Sequence, residues 1–274
     1  MSLERGELKK SWVKIILSIF ILFFFPRGGS ANTSEKRSIF SRLAKDSKYI
    51  FTSPLRLGKS DVLPLSAILL GTCGLMFLDK DIRCSLQDSK SESWDEIFAF
   101  SKQFGDGRAS LSIAGIFYLG SKIFNDEKSQ ETAISALESF IISGLICTSL
   151  KVLAGRSRPY REEGSGKFYG PTFDNSKLSL PSGHATVAFS LASVIASEYD
   201  NVVIDISAYT IASLTAFSRV YHDKHWTSDV VLGAIIGTLV GRAIVYQNRK
   251  ENVGISPLAR VKEDGFEVGL LRKF

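Results

Sequence analysis

The sequence predicts an all-α fold, a six-helix bundle behind an N-terminal signal or anchor segment. Three observations predict it. Six apolar stretches of helical length recur from residue 62 onward, they are rich in Ala, Leu, Ile, Gly and Ser, and none shows the apolar–polar alternation of a strand. No internal repeat of fixed period interrupts the series.

The elements follow in order. Lys9, Lys10 and Lys14 lead into the apolar run 15–25, and Pro26, Gly28, Gly29, Ser30 and Ala31 follow it. A positive start, an apolar core too short for a comfortable span and a small-residue exit make residues 1–31 an export signal, with Gly29 and Ala31 at positions suited to cleavage; an uncleaved anchor is the alternative. Residues 32–60 are polar and basic and read as a linker with room for one short helix. The six stretches occupy 62–78, 110–124, 133–150, 185–197, 202–217 and 230–246, within a domain of 61–248. The tail, 249–274, is charged, carries Pro257, and suits either a hairpin around Phe266-Glu267-Val268 or a loose segment.

With 274 residues the chain can bury a full core in one domain with tails. Its net charge of +6 comes without a dense basic run or regular aromatic interleaving, which argues against nucleic acid and leaves anionic substrates or an anionic lipid surface. Cys73, Cys84 and Cys147 have no metal-type spacing and imply no disulfide framework. A spanning helix needs about 20 apolar residues, and most of the stretches are shorter. Glu138 and Asp205 sit inside two of them, where an acid costs roughly 2.5–3.5 kcal/mol at bilayer depth. If an export signal leaves residue 32 outside and all six stretches cross, the polar blocks described next would face the cytoplasm. The expectation is therefore a periplasmic or membrane-associated bundle of a bacterial envelope, with an integral inner-membrane protein as the alternative.

Three short polar blocks at stretch boundaries carry the chemistry. The first holds Lys151 and Arg158-Pro159; a residue before proline is biased out of the helical region, which turns the chain and aims Arg158 away from the helix axis. Arginine's fork suits two oxygens of one phosphate, and lysine acts as a point charge. Both could equally serve only as cations at a helix C-terminus. The second, Pro181-Ser182-Gly183-His184, opens a helix with exposed N–H groups and a glycine that lets an anion approach. Ser182 could also be a simple N-cap. His184 in a positive first turn implies an anionic neighbour that keeps it protonated, as a general acid must be. The third runs from Ser218-Arg219 to His225 and Asp229. One helical turn separates His225 from Asp229, so the carboxylate can hold one ring nitrogen and leave the other free to attack. A capped helix start with a surface histidine has the same spacing. If the helices alternate up and down, all three blocks share one end of the bundle, in a set suited to hold a tetrahedral oxyanion and attack its centre.

Lys151 to Pro159, Pro181 to His184 and Ser218 to Asp229 together resemble, without departure, the three-part signature of the type 2 phosphatidic acid phosphatase (PAP2) and vanadium haloperoxidase superfamily. The resemblance covers roughly 60–247 and is nearest to the bacterial lipid-phosphatase branch around Arg219-Val220-Tyr221 and His225-Trp226-Thr227-Ser228-Asp229-Val230. It implies an all-helical bundle that hydrolyses a phosphate monoester, or the terminal phosphate of a diphosphate, with no metal or other cofactor. His225 is then the nucleophile, oriented by Asp229, and His184 the acid and base. Lys151, Arg158, Ser182, Gly183 and Arg219 hold the phosphate oxygens. His222 matches no position and reads as a surface residue. The segment Lys167-Phe168-Tyr169-Gly170-Pro171 reads as a surface loop, or as one wall of the entrance.

The expected partner is a phosphorylated lipid or a small phosphate ester, met at a membrane surface. Two rival readings stand beside it. A vanadate-dependent haloperoxidase would use the same cage, with vanadate on His225, although the short spacing between blocks resembles the phosphatase branches. A non-catalytic phosphate-binding helical protein would need no pair of histidines.

Overall fold

The computed structural model describes residues 38–252, 255–262 and 265–272, so the expected signal or anchor at 1–31 lies outside it. Its helices are α1 (Ile39–Phe51), α2 (Lys59–Asp88), α3 (Glu92–Ser101), α4 (Gly107–Phe124), α5 (Glu127–Ala154), α6 (Gly183–Tyr199), α7 (Val202–Tyr221) and α8 (Thr227–Asn252). An antiparallel hairpin of β1 (Ile255–Lys262) and β2 (Gly265–Arg272) follows, with Val261 opposite Phe266. Each of the six expected stretches lies within one of α2, α4, α5, α6, α7 and α8. Helix α1 fills the room left in the 32–60 segment. Helix α3 was not expected, because Glu92, Asp95 and Glu96 break up its short apolar content.

Two short turns set the alternation. Asn125 and Asp126 join α4 to α5, and Asp200 and Asn201 join α6 to α7. In each, the first residue ends a helix in the left-handed conformation (φ 50° and 43°). The second caps the next helix: Asp126 accepts from the N–H groups of Lys128 and Ser129, and Asn201 from those of Val203 and Ile204. Turns this short make neighbours antiparallel, so the end of α5, the start of α6 and the α7–α8 turn meet at one end.

The most extensive helix contact, α6 on α8, fixes that end in detail. Gly233, Gly237 and Gly241 recur every four residues on α8. A Cβ on them would fall 2.6 Å from the Ser182 carbonyl oxygen, 2.2 Å from that of Thr186 and 2.5 Å from that of Ser190, respectively. Hydrogen at these positions lets the two backbones touch, as in small-residue helix interfaces. Around this seam, Phe117, Ala133, Ala136, Leu191, Val194 and Val245 form the main apolar core.

Helices α2, α5 and α8 are long and apolar enough to cross a membrane, with mean hydropathy of 1.8, 1.7 and 1.7 in their most apolar windows. The expectation that these stretches are too short to span is thereby corrected. The helices run past the apolar cores to 30, 28 and 26 residues. The two acids no longer argue against insertion. Glu138 is buried and paired: Arg42 of α1 donates to it through Nε at 3.1 Å, and Asn248 of α8 through Nδ2 at 3.3 Å. Asp205 lies in the first turn of α7, not at mid-helix. Only 6% of the α2 window is buried, and Leu63, Leu70 and Phe77 are 78%, 72% and 86% exposed. A patch of this size is an interaction surface, and hydropathy of this length matches lipid. The protein is membrane-associated.

Candidate active site

The three polar blocks do converge. At the end of α5, Gly155 takes the left-handed conformation (φ 59°), and a Cβ there would lie 1.9 Å from the carbonyl oxygen of Gly170. Glycine therefore lets the 159–181 segment fold back onto the helix end, where Tyr169 N–H donates to the Gly155 carbonyl at 2.9 Å. The segment is thus a brace of the site rather than a plain surface loop. Arg158 is extended (φ −79°, ψ 152°), as its proline neighbour requires. Its guanidinium donates to Asn175 O at 2.9 Å and Asn175 Oδ1 at 3.1 Å. Lys151 reaches across to the segment's far end and donates to Leu178 O at 2.7 Å and, more weakly, to Ser179 O at 3.4 Å.

Helix α6 begins beside these cations. Ser182 occupies the N-cap position but makes no cap bond, so the simple capping role is not realised. Its N–H donates to the Asp229 carbonyl at 2.9 Å, and its buried Oγ has no protein partner. The Nε of Arg219 is likewise buried without an acceptor. Two orphaned donors, one at the start of α6 and one in the last turn of α7, are suited to an oxyanion. Gly183 lies along Lys151, whose Cε would sit 3.7 Å from a Cβ there. Burial first, then the proximity of Arg158, lowers the Arg219 guanidinium to about 10.

His184 stands in the first turn of α6 under Gly105, where a Cβ would fall 2.7 Å from the His184 Cβ. Its environment corrects one expectation. Burial and then Arg219 outweigh Asp106, the acid that acts on it, and push its pKa down to about 4. Among the described residues Asp106 is the anionic neighbour expected for His184, but it does not offset burial and the surrounding cations.

His225 is 3% exposed, not a surface histidine, and precedes α8. Its Nδ1 faces the Ser179 carbonyl oxygen at 2.8 Å, while Asp229 Oδ2 is 3.7 Å away. The backbone carbonyl is thus the direct acceptor, and Asp229 acts from one step behind. A carbonyl can only accept, so Nδ1 carries the proton and Nε2 keeps its lone pair. Burial, followed by Lys151, lowers the imidazole to about 3, which keeps it neutral. Asp229 also caps α8, accepting from Trp226 N–H at 2.9 Å, and its Oδ2 takes the Ser179 hydroxyl at 2.5 Å. The spacing thus gives both a cap of α8 and a carboxylate 3.7 Å from the imidazole.

Several residues here escaped the sequence reading. Arg156, fully buried, donates through Nη1 to Asp229 Oδ1 at 2.6 Å and through Nη2 to Asp79 Oδ2 at 2.8 Å. Asp79, from α2, also accepts from Ser228 N–H at 2.9 Å. Arg156 stands two places from Arg158, and only the Gly155 turn decides which guanidinium faces the pocket. Ser179 meets the site through its carbonyl and its hydroxyl, and Gly105 through its close approach to His184, and the sequence carries no signal for either. His222 donates locally through Nδ1 to Ser218 O at 2.7 Å.

Residues 132–252 match the PAP2 superfamily. Among curated proteins, the chain is 43% identical over 65 residues to a lipid A 1-phosphatase of Porphyromonas gingivalis, covering 23% of this chain and 15% of that protein. It is 27% identical over 143 residues to a lipid A 4'-phosphatase of the same organism, covering 49% and 58%. These matches span less than two thirds of either relative. Among solved structures, a transmembrane PAP2-type phosphatidylglycerolphosphate phosphatase from Bacillus subtilis superposes with TM-score 0.54 at 20% identity, covering 68% of this chain and 96% of that one.

Proposed function

We propose, from the match of residues 132–252 to the PAP2 superfamily, that the chain is a membrane-associated phosphatase acting on a lipid-linked phosphate, through a phosphohistidine and without a metal. The observation that carries the reading is the pairing of a neutral His225, held by Ser179 O at 2.8 Å, with orphaned donors on Ser182 and Arg219. What supports joining nucleophile and cradle is the short bond from Ser182 N–H to the Asp229 carbonyl at 2.9 Å. The named relatives are lipid phosphatases, which supports phosphate hydrolysis over halide oxidation.

The chemistry follows from the atoms. Lys151, Arg158 and Arg219 offset the charge on the phosphate oxygens, and Ser182 Oγ and the Gly183 N–H bind them. This positioning and charge stabilisation is the main demand of phosphoryl transfer. His225 Nε2 attacks phosphorus, the N–P bond forms, and the P–O bond to the leaving group breaks. The leaving oxygen takes the proton of His184, which the bound anion holds in its charged form. Water then attacks phosphorus and gives a proton back to His184. The N–P bond breaks, phosphate leaves, and His225 returns to its neutral Nδ1–H form.

The test is phosphate release by detergent-purified protein with EDTA present, from a chromogenic ester and a panel of phosphorylated lipids. Phosphoprotein trapped in alkaline denaturant, stable to base and labile to acid, should accumulate in wild type and be absent in His225→Ala. No release from any substrate, or halide oxidation on adding vanadate in its place, overturns the reading.

A further inference from the structure

Resting on the phosphatase reading, we infer that Asp79, Arg156 and Ser179 are positioning residues for His225, joined with Asp229 in one buried network that fixes the imidazole as its Nδ1–H tautomer. The argument starts at the ring. The nitrogen available for attack is the one that the surrounding protein does not hold, and the group holding Nδ1 is the carbonyl of Ser179. A loop carbonyl is a precise acceptor only if its peptide cannot turn.

Ser179 is tied at every polar atom. Its N–H donates to the Arg156 carbonyl at 3.0 Å, its hydroxyl donates to Asp229 Oδ2 at 2.5 Å, and its carbonyl also receives Lys151 at 3.4 Å. Arg156 therefore holds Ser179 twice, directly through its backbone and indirectly through Asp229. Arg156 is aimed in turn by Asp79, by two bonds to the Ser165 carbonyl at 2.9 and 2.6 Å, and by the rings of Phe168 and Trp226 on which it stacks. Asp79 is held by Ser228, which donates its N–H to one oxygen at 2.9 Å and its hydroxyl to the other at 2.5 Å. Asp79, Arg156, Ser179, Ser228 and Asp229 are all fully buried.

Apolar side chains of similar volume would stabilise such a core as well as a buried ionic group does. A planar guanidinium shared by two carboxylates adds direction: it sets the plane of Asp229 and, through Ser179, the ring of His225. The network also reaches α2, so a helix distant in sequence shares in aiming the nucleophile.

The experiment uses Asp79→Asn in the full-length protein, which keeps the shape and removes one charge. With a chromogenic phosphate ester, kcat should fall about 10- to 100-fold, the scale of a misplaced reacting group. KM should stay within about twofold, because Asp79 touches no phosphate oxygen. In 15N-histidine spectra, the His225 ring should move from a single Nδ1–H form toward a tautomer mixture. An unchanged kcat, or a fallen kcat with an unmoved His225 signature, overturns the inference and leaves a purely structural brace. If Asp79→Asn does not fold, Ser179→Ala removes only the hydroxyl bound to Asp229, and the same two readouts decide. A wild-type protein inactive on every ester would remove the phosphatase reading, while the ring spectra would still decide the positioning role.

Discussion

Gly237 of α8 and Thr186 of α6 touch backbone to backbone, so closely that a Cβ on the glycine would lie 2.2 Å from the Thr186 carbonyl oxygen. The same seam, one turn toward the site, places Ser182 against Asp229. Gly237→Ala should push the helices apart and destabilise the fold by about 1–3 kcal/mol, the range for overpacking a tight core. Thermal unfolding in detergent measures this loss, and ester hydrolysis should slow as Ser182 and Asp229 move apart. A variant with wild-type melting and wild-type rate would contradict the seam's role in setting the site.

The acid–base groups predict different pH limbs for kcat/KM and kcat. His225 must be neutral, and with a pKa of about 3 it is so across the working range. His184 must be protonated, and at about 4 in the free protein it loses its proton as pH rises through that value. The falling limb of kcat/KM, which reports the free enzyme, should therefore lie well below the ordinary histidine range. A bound phosphate dianion raises His184, so the falling limb of kcat should lie at higher pH. Coincident limbs in the two profiles would show that His184 does not carry the transferred proton.

The same depressed histidines couple stability to pH. An imidazole of ordinary affinity in the unfolded chain binds a proton near pH 6.5, whereas His184 and His225 in the folded state resist it until about 4 and about 3. The unfolded state binds more protons in that window, so stability is full above 6.5 and falls as pH drops toward 3. Melting temperatures measured from pH 7 to pH 4 should decline, and His225→Gln should flatten the decline.

In the proposed mechanism charge compensation at the phosphate comes from three side chains, and each should carry a large share of the rate. Arg219→Ala should lower kcat by about 10²–10³-fold, as for loss of one preorganised donor to transition-state charge. EDTA should leave the wild-type rate unchanged, because Lys151, Arg158 and Arg219 offset the oxygens that a metal would otherwise bridge. Loss of activity in EDTA, restored by a divalent cation, would contradict that assignment.

On the far side of the bundle, Arg42→Ala would strand Glu138, whose side chain is 1% exposed, without its guanidinium. Breaking a buried pair on one side costs about 3–5 kcal/mol, whereas replacing both partners by apolar groups is often neutral. Thermal unfolding of Arg42→Ala should show that loss, and Arg42→Met with Glu138→Leu should recover most of it.

Sequence legibility followed chemical type. Lys151, Arg158, His184 and His225 stand at the edges of apolar runs, where a cation or imidazole is conspicuous, and up-down alternation was enough to bring them together. What escaped depends on direction rather than type. The sequence shows two arginines in Gly155-Arg156-Ser157-Arg158, and the left-handed turn at Gly155 sends one into the core and the other to the pocket. Asp79 is an ordinary acid after the apolar run of α2, and nothing nearby names its partner 77 positions away. His225 was matched with Asp229 by spacing, yet a backbone carbonyl stands between them in effect, and backbone acceptors leave no trace in residue identity. Apolar runs understate membrane character, because the polar ends of α2, α5 and α8 continue the same rods to 30, 28 and 26 residues.

Asp79 belongs to α2, more than fifty residues ahead of the segment that matches the superfamily. A fragment cut to that segment would keep every recognised motif residue and still leave Arg156 gripping a single carboxylate. Grafting the motifs onto another scaffold, or trimming the chain to its recognisable portion, must therefore carry this distant rod along, because its inner end is one of the walls against which the reactive ring is aligned.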